Sequence, residues 1–211
     1  MQAFEISSPA QNRPSALSLP DAASTALRTG VVDRPRHGIQ IRRIQAHDLQ
    51  WLPALADLLI DSVHQSHSSD FLAPLSRYAA LEYWHGVYAK LGAGHALWMA
   101  CEGGAHGPLH GAVQLKLAAH AHHRGEVQRL MVHSREQGRG IGSQLMAALE
   151  STAASWGRHL LVLDAPTDSA SASVFRHLGW RPSSEAPGFS SLMNDARRDA
   201  AMLYKRLRRQ S

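Results

Sequence analysis

The sequence predicts an α/β (α+β) fold, and three observations carry that expectation. Short aliphatic runs alternate with helical patterns in the order β-α-α-β-β-β-α-β-α-β-β. A glycine-rich loop stands directly between a strand and a helix. Hydrophobic residues make up 44% of the 211 and charged residues 18%, a balance that builds one packed core and is too apolar for wholesale disorder. Residues Met1 to Gly38 differ in texture: Ser, Pro, Ala and Arg without a sustained apolar period. They are expected to form a disordered leader, and residues 39–208 the folded domain.

From Ile39 the elements follow in turn. Ile39, Ile41 and Ile44 mark a short strand, and Asp48 stands where an N-cap belongs before the helical spacing of Leu52, Leu55, Leu58 and Leu59. Ser76 can cap a second helix carrying Tyr78, Leu81, Tyr83, Trp84, Val87 and Leu91, which Gly92 and Gly94 stop. Two strand-like runs, His95 to Glu102 and Leu109 to Leu117, are separated by Gly103, Gly104, Gly107 and Pro108, the punctuation of an antiparallel hairpin. A third strand, Glu126 to Val132, leads into the glycine loop and a helix containing Leu145, Met146 and Leu149. His159 to Asp164 reads as a buried strand, Ala170 to Leu178 as a helix ended by Gly179, and Trp180 to Ser184 and Ala201 to Leu207 as closing strands.

Composition narrows the function classes. A single cysteine, Cys101, excludes an internal disulfide framework and a multi-cysteine zinc site, so a reducing, cytoplasmic setting is expected. No run approaches the roughly 20 apolar residues of a membrane span, and the most leucine-rich segment is interrupted by Asp57 and Asp61. The net charge of +5 gathers at Arg28, Arg34, Arg36, Arg42 and Arg43 and again at Arg197, Arg198, Lys205, Arg206, Arg208 and Arg209. No aromatic interleaving or helix-turn-helix pattern accompanies these cations, so solvated tails and attraction for a polyanionic cofactor are expected rather than nucleic-acid or membrane binding.

The most informative residues are Gln137-Gly138-Arg139-Gly140-Ile141-Gly142-Ser143. Glycines let a backbone approach an anion closely, and the free N–H groups and dipole of a first helical turn favour phosphate. A Walker loop would need Gly-Lys-Ser/Thr, and a dinucleotide fingerprint G-x-G-x-x-G opening a βαβ unit; neither fits. The diphosphate of another cofactor remains.

At these residues the chain resembles the GNAT acetyltransferase superfamily, whose coenzyme signature Gln/Arg-x-x-Gly-x-Gly/Ala is matched by Gln137 to Gly142. The resemblance implies a mixed, mostly antiparallel seven-stranded sheet with helices on both faces, and acetyl-CoA as cosubstrate. It places the pantetheine arm along Leu130, Met131 and Val132, and the diphosphate on the amides of Gln137, Gly138, Arg139, Gly140, Ile141, Gly142 and Ser143. Further texture is similar to the subgroup around the tabtoxin resistance protein: Phe71 to Ser76, Gly125 to Val132, Leu160 to Asp164, Leu178 to Trp180 and Tyr204 to Leu207. Together these cover about Ile39 to Leu207.

Acyl transfer from a thioester needs a neutral amine, a polarised carbonyl and a proton for the departing thiolate. Ammonium groups titrate near 8 to 10, so a carboxylate acting directly or through water is the expected base. The resemblance places it at Glu126 and Asp164; the competing expectation is strand-end carboxylates paired with Arg124, Arg129 or a helix end. The carbonyl is expected to be polarised by the backbone N–H of Met131. The family often provides a tyrosine as thiolate donor, and the matching position holds Phe175, which has no proton to give; a water, Ser171, Ser173 or His177 are the alternatives. His120, His122 and His123 lack a partner at characteristic spacing, so no metal site is expected. His64 and His67 stand where the substrate-facing loop begins.

These readings converge on an N-acetyltransferase acting by direct attack on a small-molecule amine, such as an amino-acid-like toxin, antibiotic or metabolite, the protein being a monomer or homodimer. A protein amine as acceptor and a non-catalytic CoA-binding module are the rivals.

Overall fold

The computed structural model describes residues 38–65, 71–92, 94–103, 107–117, 121–164, 170–183 and 202–208, the side chains at 170 and 171 excepted. Seven strands form one sheet in the order β1-β2-β3-β4-β5-β7-β6. They are β1 (Gln40–Arg43), β2 (His95–Cys101), β3 (Leu109–Leu117), β4 (Arg124–Val132), β5 (Leu160–Asp164), β6 (Arg181–Pro182) and β7 (Met202–Arg206). Every pairing is antiparallel except β4 with β5. The helices are α1 (Leu52–His64), α2 (Arg77–Tyr88), α3 (Ile141–Ser155) and α4 (Ala170–His177). Element order and hairpin pairing match the expectation. The expected leader, apart from Gly38, lies outside the described residues, as do Ser184 and Ala201 of the two closing strands.

Two cores flank the sheet. Leu52, Leu55, Leu58, Leu59 and Val63 line one face of α1 and pack with Ala80, Trp84 and Val87 of α2 on Leu97, Met99, Ala112 and Met131. On the opposite face, Ile141, Leu145, Met146 and Leu149 of α3, with Phe175 and Trp180, pack on Val113, Leu115, Val127, Leu161 and Leu163. Alternation along β2, β3 and β4 divides neighbours between the two cores, while Val162, Met202 and Tyr204 of β5 and β7 form a smaller third cluster.

Helix ends show one agreement and one correction. Ser76 caps α2 as expected, its Oγ accepting from the N–H of Ala79 at 3.1 Å. Asp48 does not cap α1. It precedes a 3-10 turn, Leu49–Trp51, and its carboxylate accepts from the N–H of Gln45 at 2.8 Å. The N-cap of α1 is Trp51, with proline in the first turn, where the missing N–H costs nothing.

Candidate active site where two strands part

β4 and β5 are paired only at Arg124–Leu160, Gly125–Leu161 and Glu126–Val162. Beyond Glu126, β4 continues along β3 to Val132 while β5 continues along β7 to Asp164, so the parallel pair opens. A β-bulge helps it open. Between Ala112 and Gln114 of β3, β4 runs from Met131 to Gln128, one residue too many. Within that bulge Arg129 has φ +52°, the one positive φ outside glycine among the described residues. Such a backbone costs about 1–3 kcal/mol and persists where surroundings hold it. Here the Arg129 guanidinium stacks over Phe71 at 4.7 Å and Tyr83 at 5.4 Å, and its Nε donates to the Tyr83 hydroxyl at 3.2 Å. That hydroxyl also accepts from Gln114 Nε2 at 2.9 Å.

Hydrogen-bond alternation decides which amides face the opening. The N–H of His133 donates to the carbonyl of His110 at 2.8 Å, and the register steps to Gly111–Val132 and Ala112–Met131. Antiparallel pairs alternate between bonded and non-bonded, so Met131 exchanges its bonds with Ala112, and the N–H and carbonyl of Val132 turn toward the gap. The Met131 side chain is buried in the α1–α2 core.

At the far end of the gap the chain makes a 3-10 turn, Ser134–Glu136, and then the glycine loop. Gly138 and Gly140 have φ of +77° and +75°, a conformation side chains resist, and an added Cβ at either would meet nothing within 4 Å. Gly140 is the N-cap of α3 and offers no side-chain cap; the first helical bond is Gln144 N–H to Gly140 O at 3.1 Å. The amides of Ile141, Gly142 and Ser143 are therefore left without intrahelical partners. They border a cavity of about 480 Å³, lined by Leu130, Met131, Val132, Gln137, Gly138, Gly140, Ile141, Gly142 and Ser143 together with Ser62, Glu136, Val174 and Phe175. Nine of the ten residues expected to hold the coenzyme thus line one space. Arg139 is the exception: its guanidinium turns to the Glu136 carboxylate.

Neither expected base lines that cavity: Glu126 stands in the last pair before the strands part, and Asp164 at the end of β5. Glu126 is in register with Val162, and Asp164 lies two residues further along β5, so both carboxylates project from the same face of the sheet, opposite Val127 and Leu163. Glu126 Oε1 accepts from Gln128 Nε2 at 2.7 Å, and its Oε2 is 4.0 Å from Lys116 Nζ. His95 hydrogen-bonds Gln128 in turn, and burial, then Lys116 and Lys90, hold its imidazole below the usual histidine range. The result is a chain from His95 through Gln128 to Glu126. Phe175 is buried and meets the Trp180 ring edge-on at 5.9 Å. His177 Nδ1 lies 2.9 Å from the Ser173 carbonyl. His67, and His120 of the histidine cluster, fall outside the described residues.

Sequence reading missed Asp61, Glu136 and Arg129. Asp61 of α1 accepts from both the N–H and the hydroxyl of Ser134 at 2.8 Å and so fixes the exit of β4 to the helix layer. An acid interrupting a leucine-rich helix was the available signal. Glu136 abuts the glycine motif, but its role needs the fold of the loop. For Arg129 nothing local signals a bulge.

The acetyltransferase (GNAT) family model matches residues 60–180 of the chain. Among solved structures, an acetyltransferase of the GNAT family from Staphylococcus aureus superposes with a TM-score of 0.58 at 17% identity, over 80% of this chain and 100% of its own. The PaiA N-acetyltransferase from Thermoplasma acidophilum, in complex with coenzyme A, gives 0.59 at 15% identity over 80% and 99%. YncA from Salmonella typhimurium, solved with its cofactor acetyl-CoA, gives 0.58 at 18% over 82% and 96%. At these identities the structural likeness establishes the fold.

Proposed function

The chain belongs to the GNAT acetyltransferase family, and from that premise we propose that it moves the acetyl group of acetyl-CoA to the amine of a small, amino-acid-like molecule. One observation carries the reading: the gap between β4 and β5 and the uncapped N-terminus of α3 open into the same cavity. An arm lying along Leu130 to Val132 would meet backbone donors and acceptors, and a diphosphate would meet the free amides of Ile141, Gly142 and Ser143 with the helix dipole behind them. The residues present fit that coenzyme, since the glycine loop leaves open the space its Cβ atoms would fill.

In the proposed reaction Glu126, directly or through water, takes the proton of the attacking ammonium, with Asp164 as the second carboxylate of the cleft. Gln128 positions Glu126. The amine nitrogen bonds to the thioester carbon, the carbon–sulfur bond breaks, and the thiolate leaves, taking directly or through water the second proton that the new amide nitrogen sheds. The carbonyl oxygen takes a backbone N–H from β4. The sequence pointed to Met131 for that donor; because its N–H is turned to Ala112, we assign the role to the amide of Val132. The subgroup texture at Phe71 to Ser76 and Gly125 to Val132 supports an amino-acid-like acceptor.

The test is release of free thiol from acetyl-CoA against amines, amino acids, β-lactam-like toxins and a test protein. Glu126→Gln is expected to lower kcat about 10²-fold or more while the coenzyme Kd stays within about twofold. Gly140→Asp, which brings a carboxylate to the loop at a left-handed φ, is expected to abolish coenzyme binding. A second reading, a CoA-binding module without turnover, is favoured by Phe175 on the cavity wall. Tight acetyl-CoA binding with no acceptor ever acetylated would establish it.

A further inference from the structure

Outside the catalytic carboxylates, the fold brings two acids to one buried imidazole. His110 of β3 is 7% exposed. Its Nε2 lies 3.4 Å from Glu102 Oε2, just past the end of β2, and its Nδ1 lies 3.8 Å from Glu136 Oε2, in the turn after β4. Nε2 is buried and has no hydrogen-bond partner. A neutral imidazole carries one N–H, so one nitrogen would aim a lone pair at a carboxylate that can only accept; an imidazolium donates on both sides. The arrangement of acceptors therefore suits the cation. From the end of β4 the His133 ring lies 3.8 Å from Asp61 Oδ2 of α1, and from β1 Arg42 reaches Cys101 beside Glu102; the cations within 4 Å of the two acids are His110 and Arg139 among the described residues.

Glu136 connects this cluster to the cavity. Its carboxylate lines the space beside the glycine loop and pairs with Arg139 inside the loop. An uncompensated carboxylate there would repel a diphosphate, and each added positive charge on its far side relieves that repulsion. We propose that His110 is a positioning residue for coenzyme binding: its imidazole stands between Glu102 and Glu136, gains a proton when the polyanion binds, and as the cation holds Glu136 and Arg139 at the loop. The proposal rests on the reading of Gln137 to Ser143 as the diphosphate site.

The test is calorimetric titration of the full chain with coenzyme A between pH 5.5 and 8.5, for wild type and His110→Gln. Linkage fixes the sign. Proton uptake on binding means affinity is lost as pH rises, so the wild-type Kd should weaken relative to that of His110→Gln by up to about tenfold per pH unit. The 3′-phosphate of the coenzyme, titrating near pH 6, pushes affinity the other way but acts equally on both proteins and cancels in the ratio. Buffers of different protonation enthalpy should report proton uptake for wild type and less for His110→Gln. A Kd ratio independent of pH, or equal proton uptake, overturns the proposal. Should His110→Gln not fold, Glu102→Gln at the 32% exposed rim takes its place, with reduced uptake expected and unchanged uptake overturning the idea. Gly140→Asp separates the two levels: coenzyme binding that survives it defeats the loop reading itself, whereas failure of the His110 proposal leaves its effect intact.

Discussion

In the proposed reaction, a phenyl ring on the cavity wall limits what the site can do for a departing thiolate. Phe175 is 8% exposed, lines the cavity and meets the Trp180 ring edge-on, so the ring of a tyrosine there would be held by packing that already exists. Phe175→Tyr is expected to raise kcat for thiol release at least about threefold, well short of the 10²- to 10⁴-fold of an evolved acid, with coenzyme Kd within about twofold. Stopped-flow thiol release measures it, and an unchanged rate would mean that the thiolate, with a parent pKa of about 8.5, departs without side-chain help. At this scale, legibility in the sequence followed proximity. Gln137 to Ser143 and Phe175 could be read because a helix start and a family motif position them locally. Asp61, Glu136 and Arg129 could not, because each acquires its role from a partner distant in the chain: Ser134 for Asp61, His110 for Glu136, and the stacked rings of Phe71 and Tyr83 for Arg129.

Elements were legible where a period or a cap marks them, and less so where only packing decides. The spacing of Leu55, Leu58 and Leu59 gives α1 and Ser76 starts α2, whereas the 3-10 turn that displaced Asp48 from its expected cap is set by tertiary contact, Tyr88 donating to the Asp48 carbonyl at 3.1 Å. β7 illustrates the same limit. Its residues read as a strand, but nothing in Met202 to Arg206 indicates that it inserts between β5 and β6. Lys205 secures that insertion: its ammonium donates to both Glu150 oxygens, at 2.9 and 2.7 Å, and to the Leu178 carbonyl at 2.6 Å, tying β7 to α3 and to the end of α4. Lys205→Met keeps the stem and removes three charge-assisted bonds, leaving the Glu150 carboxylate, 16% exposed, without its cation. Urea unfolding should show a loss of about 2–4 kcal/mol. A loss below about 0.5 kcal/mol would mean that solvent replaces the lysine.

At the scale of the whole molecule, the opening between β4 and β5 is a cost of the fold. Parallel pairing stops after three residue pairs, and the N–H of Val132, turned to the gap, with the first amides of α3, is left for another partner. A ligand that satisfies them binds the folded chain and not the unfolded one, so it must stabilise the fold by mass action. At a hundredfold excess over Kd this amounts to about 2.7 kcal/mol. For a chain of this size each kcal/mol moves Tm by about 2–4 °C, which predicts a rise of roughly 5–10 °C with saturating acetyl-CoA. The ligand-free Tm of Gly140→Asp should fall by about 2–4 °C, the effect of about 1 kcal/mol of strain at a left-handed φ, and its shift with acetyl-CoA should vanish. Differential scanning calorimetry of the two proteins, each with and without acetyl-CoA, measures all four quantities. A wild-type shift that persists undiminished in Gly140→Asp would place the coenzyme elsewhere on the molecule and leave the gap between the strands unexplained.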